Sequence, residues 1–78
     1  MDKEQFLEKL HLLKINRKRL YVELVGFVRQ RNIYGCFYDG HKWIVYKTDN
    51  NKDPHILLES MTEREAFFFL FETLATVK

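Results

Sequence analysis

The chain has 78 residues, of which 46% are hydrophobic, 15% aromatic and 31% charged, and its formal net charge is +2. This length and balance predict one folded domain, 1–78, and exclude the low hydrophobicity that is typical of disordered chains. No apolar run approaches the roughly 20 residues that cross a bilayer, and the single cysteine, Cys36, cannot form an intrachain disulfide. We therefore expect a cytoplasmic protein that does not enter a membrane.

The first predicted element is a helix that begins near Lys3. Asp2 is suited to be its N-cap, and Gln5 stands three residues later, as in a capping box. Apolar side chains then recur at helical spacing at Phe6, Leu7, Leu10 and Leu13. We expect the helix to end at about Asn16, because asparagine tolerates the left-handed conformation that often follows a helix.

Positive charge is concentrated at and after this helix. Residues 1–31 carry a net charge of +4, whereas residues 32–78 carry −2. The candidate basic patch consists of Arg17, Lys18, Arg19, Arg29 and Arg31. Such a patch can bind an anionic partner, and a solvated basic loop is the alternative interpretation.

Residues 20–28 form the next apolar run, rich in β-branched and aromatic side chains. The composition favours a strand over Leu20–Val28. Leu20, Leu24 and Phe27 also fit a helical stripe, however, and periodicity alone does not separate the two structures in so short a run. The choice between strand and helix stays open.

A β-hairpin is predicted around Asp39-Gly40, which joins two strand-like runs, 33–38 and 41–47. With a two-residue turn the opposed pairs are Cys36–Trp43, Tyr34–Val45, Ile33–Tyr46 and Gly35–Ile44. Gly35 leaves a gap that a bulky neighbouring side chain can cover. A polar loop, 49–54, and a short strand, 55–59, are predicted to follow.

The closing helix is predicted to begin after Thr62, because Glu65 stands where a capping box needs it. The whole order is αββββα. It predicts an α+β fold, a two-layer sandwich in which an antiparallel meander of three to four strands is covered by an N-terminal and a C-terminal helix.

The last helix carries more aromatic side chains than one buried stripe can hold. The stripe consists of Ala66, Phe67, Leu70, Leu74 and Val77. Phe68 and Phe69 lie outside it, with Phe68 expected near Arg64 and Ala75 and Phe69 beside Glu65 and Glu72. Either the rest of the fold wraps round to bury both phenylalanines, or they form a protein-contact surface. The candidate partner-binding site consists of Phe68, Phe69, Glu65 and Glu72.

No catalytic, cofactor or metal site is predicted. A nucleophilic cysteine needs a histidine base. His41 lies across the predicted hairpin turn from Cys36 and His55 begins the last predicted strand, but the apolar neighbours of Cys36 favour a buried core cysteine. The spacing of Cys and His does not match a structural zinc site, and no glycine-rich phosphate loop is present.

The run Trp43-Ile44-Val45-Tyr46, a polar loop, a short strand and then residues 60–67 resemble small immunity proteins of Gram-positive bacterial toxin systems. The resemblance covers residues 35–67 and maps no individual functional residue. It implies a short cytoplasmic α+β protein that binds and neutralises a cognate toxin.

Two nucleic-acid-binding families share part of the pattern. An α-β-β-β-α order of elements resembles that of the double-stranded RNA-binding domain. That family has a lysine-rich segment at the start of its last helix, whereas Thr62-Glu63-Arg64-Glu65 in the same place would repel phosphates. Residues 35–66 also resemble the arm-binding domains of phage integrases, which read DNA through basic strands, whereas acidic residues offset the lysines here.

We therefore expect a non-enzymatic binding protein, an immunity-like or inhibitor-like protein that sequesters a protein partner or forms a homodimer. The alternative is a nucleic-acid-binding accessory protein of a phage or mobile element. Either function would need no cofactor.

Overall fold

The computed structural model describes residues 1–12, 20–21 and 26–76. The elements in chain order are α1 (Lys3–Leu12), β1 (Leu20–Tyr21), β2 (Tyr34–Tyr38), β3 (Trp43–Thr48), β4 (Pro54–Ser60) and α2 (Glu63–Thr76). Strands β2, β3 and β4 form an antiparallel sheet. The predicted α+β class and its three antiparallel strands are confirmed, and the two-layer sandwich stays a prediction.

The predicted fourth antiparallel strand, Leu20–Val28, is not confirmed. Of that range, Leu20–Tyr21 forms β1, which pairs parallel to β2, and residues 22–25 lie outside the described part of the chain. Gly26 has a φ of 91°, a left-handed conformation that glycine adopts without strain. Phe27 then packs edge-on against Tyr46 at 5.0 Å between ring centroids, and the backbone N–H of Val28 donates to the Tyr46 hydroxyl at 3.2 Å.

Helix α1 begins as predicted. The Asp2 carboxylate accepts from the backbone N–H of Gln5 at 2.8 Å, and the Gln5 side-chain oxygen accepts from the N–H of Asp2 at 3.2 Å, which completes a capping box. Phe6 and Leu10 are fully buried. The predicted Leu13 and Asn16 lie outside the described residues.

The hairpin between β2 and β3 is confirmed, but its predicted register is wrong by two residues. Tyr38 pairs with Trp43, so the turn spans four residues instead of two. The cause is Asp39, whose carboxylate accepts from the backbone N–H groups of His41 and Lys42 at 2.8 Å each and closes the wider turn. A shift of two keeps every side chain on its expected face of the sheet.

The shifted register places Tyr46, not Ile44, opposite Gly35. The Tyr46 ring lies where a Cβ on Gly35 would be, and Tyr46 is almost fully buried. The predicted gap at Gly35 is therefore filled by a bulky cross-strand side chain, as expected, although by a different residue.

Helix α2 packs on the same core as α1. The backbone N–H of Glu65 donates to the Thr62 hydroxyl at 3.2 Å, so Thr62 is the N-cap. The buried core consists of Phe6, Leu10, Cys36, Val45, Ala66, Phe67, Leu70 and Leu74. Four of the five predicted α2 stripe residues are thus buried, and Val77 lies outside the described part.

We expect Gly35→Ala to destabilise the fold by about 1–3 kcal/mol, because the added methyl overlaps the Tyr46 ring. Urea denaturation of the variant measures this loss. The matched control is the same substitution in a Tyr46→Leu background, where the ring is absent and the cost should fall by half or more. An equal cost in both backgrounds would contradict the steric explanation.

Truncation of the α2 stripe should be costly. Leu70→Ala leaves a cavity in a fully buried site, so we expect a loss of about 2–5 kcal/mol in the free energy of unfolding. Leu12→Ala is the control, because Leu12 is 69% exposed and its truncation should change stability by only about 0.5 kcal/mol. Similar losses from the two variants would be incompatible with this core.

Candidate functional site

Cys36 is a core residue of strand β2. Its side chain is fully buried. Burial, and secondarily the charge of Glu63, raise the pKa of the thiol to about 12. The group therefore stays protonated at neutral pH, where a nucleophilic cysteine would need the thiolate.

The histidines named as candidate bases have other surroundings. The Nε2 atom of His55 lies 2.8 Å from Oδ2 of Asp49, and this contact holds the pKa of the Asp49 carboxyl below its usual range. His41 is exposed in the β2–β3 turn. Among the residues that the structure describes, no three His, Cys, Asp or Glu side chains are grouped as metal ligands. Neither described helix has the length and apolar character required to cross a membrane.

Helices α1 and α2 lie side by side and run in the same direction. Three contacts at successive turns define this arrangement. The backbone N–H of Lys3 donates to Glu63 at 3.3 Å, the rings of Phe6 and Phe67 lie 5.2 Å apart, and the ammonium of Lys9 lies 5.7 Å from the Phe71 ring centre.

An open groove of about 760 Å³ runs between the outward faces of the two helices. Its apolar lining comes from Met1 and Leu12 of the α1 segment and from Phe68 of α2. Leu12 is 69% exposed and Phe68 is 54% exposed. Two large apolar side chains therefore face solvent on neighbouring helices.

The two phenylalanines of the candidate site have different surroundings. Phe68 lines the groove, whereas Phe69 is partly buried and packs against the core. The two side chains lie 100° apart round the helix axis, on opposite flanks of the buried stripe, so the rest of the fold can cover one and leave the other exposed. The rest of the fold therefore covers Phe69 in part and leaves Phe68 exposed, and a contact role for Phe68 stays a prediction.

The acidic members of the candidate site accompany Phe68. Glu65 and Glu72 are both exposed, one turn before and one turn after it on the same helix. Glu65 also lines the groove. Three of the four predicted partner-binding residues thus share one exposed face of α2.

Sequence reasoning missed the contribution of α1. Leu12 and Glu8 line the groove together with Phe68. The sequence does contain a sign of this contribution. Leu12 is an apolar residue outside the Phe6–Leu10 stripe, and it lies on the same helix face as Glu8, four positions earlier. Its relevance depended on the helix pairing, which the sequence pattern does not give.

The predicted basic patch is described only in part. Arg29 and Arg31 are exposed in the segment that precedes β2. Arg17, Lys18 and Arg19 lie outside the described residues. Whether the five cationic side chains share a surface therefore stays a prediction.

Comparison of the chain with protein-family models, with curated proteins and with solved structures finds no match. The functional assignment consequently depends on the burial, contacts and charges of the described residues. The groove between α1 and α2 is the best-defined candidate site among them.

The folded protein should protect Cys36 from thiol reagents. At about pH 8 we expect labelling by an aromatic disulfide to proceed at least about 100-fold more slowly than in denaturant, because the buried thiol is protonated and inaccessible. The measurement is the absorbance of the released thiolate over time. Rapid labelling of the native protein would contradict a core role and revive a nucleophilic one.

Proposed function

We propose that this chain is a non-enzymatic, cytoplasmic binding protein that sequesters a protein partner, in the manner of small immunity or inhibitor proteins. The partner docks on the groove between α1 and α2. The observation that carries the proposal is Phe68, which is 54% exposed at the middle of α2 and lines that groove with Leu12.

An aromatic side chain in this position has the properties of an interface anchor. Burying a phenylalanine removes a large apolar surface from water and contributes about 1.5–3 kcal/mol. Aromatic residues are enriched at the centres of protein interfaces, where polar residues surround them. Phe68 has this setting, because exposed Glu65 and Glu72 flank it on α2 and Glu8 lies across the groove.

The candidate chemistry supports binding over catalysis. The thiol of Cys36 has a raised pKa and is enclosed by the core, and the ring of His55 is engaged by Asp49. The polar side chains at the start of α2 have structural roles, since Thr62 caps the helix and Glu63 accepts from the N–H of Lys3.

The surface of the helices also disfavours the alternative function. Nucleic-acid binding depends on cationic side chains that neutralise phosphates. The two helices and their N-caps hold six acidic residues against three basic ones, so this surface lacks the excess of positive charge that phosphates require. A nucleic-acid partner would therefore have to use another surface, such as the one that carries Arg29 and Arg31.

Phe68→Asp should leave the monomer folded and weaken partner binding by at least about 30-fold, because it places a charge at the proposed anchor. The matched control is Ile56→Asp, since Ile56 is 51% exposed on β4, away from the helices. The measurements are thermal melts and co-purification of an identified partner from the native host.

Three outcomes would contradict the proposal. They are unfolding of the Phe68→Asp variant, equal loss of the partner in both variants, and a co-purifying partner that is nucleic acid. In the last case binding should weaken steeply as salt concentration rises.

A further inference from the structure

The face of the sheet opposite to the helices carries an apolar cluster of its own. Cys36 and Val45 point towards the helices and belong to the main core. Because side chains alternate along a strand, their neighbours Phe37, Ile44 and Tyr46 point the other way, where they form a second buried cluster. This outer face is therefore covered, although neither helix lies on it.

Phe27 supplies part of this cover. Its ring lies edge-on to that of Phe37 at 5.3 Å and to that of Tyr46 at 5.0 Å between centroids. Phe27 is nevertheless 43% exposed. Closure over the sheet thus removes only part of the Phe27 surface from water, whereas the packing of the helices buries Phe6 and Phe67 completely.

Two side chains of β3 hold the segment that carries Phe27, residues 27–31. The backbone N–H of Val28 donates to the Tyr46 hydroxyl at 3.2 Å, and the Thr48 hydroxyl donates to the backbone carbonyl of Gln30 at 2.5 Å. The segment is neither helix nor strand. Its attachment to β3 consequently differs from that of β2 and β4, which pair with β3 through backbone ladders.

Both ends of the segment are marked by left-handed backbone conformations. The φ angle is 91° at Gly26 and 54° at Asn32. Beyond Asn32 the attachment to β3 changes, because the backbone N–H of Thr48 donates to the carbonyl of Ile33 at 2.8 Å and the N–H of Ile33 donates to the Thr48 hydroxyl at 2.8 Å. Hinges are typically a few such residues at the ends of an element or loop.

We propose that residues 27–31 form a strap that opens as a unit about Gly26 and Asn32 while the main core stays folded. Segments that open before the rest of a protein are those with few fully buried contacts and no backbone ladder. Opening uncovers the rings of Phe37 and Tyr46. The strap therefore controls access to a second apolar surface, separate from the groove between the helices.

The uncovered surface is held in place without the strap. The Tyr46 ring lies across Gly35 on β2, in the space that a side chain at that position would occupy. Phe37 is on β2 and pairs with Ile44 on β3. Both rings thus stay on the sheet when the strap leaves, so the open state presents a preformed surface.

Native-state hydrogen exchange at increasing urea concentration tests the strap. The Val28 N–H should have a protection factor at least about 10-fold lower than that of the Thr48 N–H. The free energy of exchange of Val28 should fall with urea, but less steeply than that of Thr48, because opening exposes only part of the apolar surface. No dependence on urea would indicate a local fluctuation, and equality with Thr48 would indicate global unfolding. Either result would overturn the strap.

The Ile33 N–H tests the hinge at Asn32. It lies beyond the strap, so its exchange should have the protection and urea dependence of Thr48. Exchange of Ile33 together with Val28 would overturn this hinge.

A pair of truncations separates the strap from the main core. Phe27→Ala weakens the closed state, so it should lower the protection of Val28 and Thr48 by the same factor, at least about 5-fold. Leu70→Val removes one methylene from the core on the other side of the sheet, and it should lower the protection of Thr48 at least about 3-fold but leave that of Val28 unchanged. An equal loss at both amides in Leu70→Val, or no loss at Val28 in Phe27→Ala, would overturn the inference. None of these measurements involves a partner, so the proposed function is judged separately by co-purification.

Discussion

The arrangement of the helices depends on the packing of Phe67. Its ring lies 5.2 Å from that of Phe6 on α1 and 5.6 Å from that of Trp43 on β3, so one buried side chain connects both helices to the sheet. Helix α1 packs against α2, while α2 contacts all three antiparallel strands. In a domain this small, where burial is limited, the loss of such a shared contact would release α1 as well as α2.

The same packing explains why an apolar surface remains exposed. With Phe67 directed inward, helical geometry directs the next residue, Phe68, towards the outer face of α2. Helix α1 lies beside α2 and does not cover that face. The buried stripe and the groove are therefore two consequences of one helix orientation, and a change that rotated α2 to bury Phe68 would withdraw Phe67 from Phe6 and Trp43.

Features that depend on nearby residues could be predicted from the sequence, and those that depend on distant contacts could not. The cap at Asp2 and the inward faces of the helices follow from local spacing. The Asp39-Gly40 pair did not predict the correct hairpin register. The Asp39 carboxylate accepts hydrogen bonds from the backbone N–H groups of His41 and Lys42, and these bonds stabilise a wider turn. Burial of Phe69 and the pairing of Leu12 with Phe68 depend on how α1 meets α2, which no local pattern specifies.

Strand β4 is the other surface that could recruit a partner, and its features oppose that role. It is one of the two edge strands of the described sheet, β1 being the other, and Ile56 and Leu57 are exposed on it. A β-bulge leaves Leu57 without a partner on β3, since Val45 pairs with Leu58 and Tyr46 with Ile56. Pro54 also begins the strand, and His55 and Glu59 place polar groups along it. Proline, charge and bulges are the devices by which natural sheets avoid edge-to-edge pairing. A strand protected in this way is a poorer site for edge-to-edge pairing than its exposed apolar side chains alone would suggest, and among the described residues the outer face of the helices, with Leu12 and Phe68, is an accessible apolar surface without such protection.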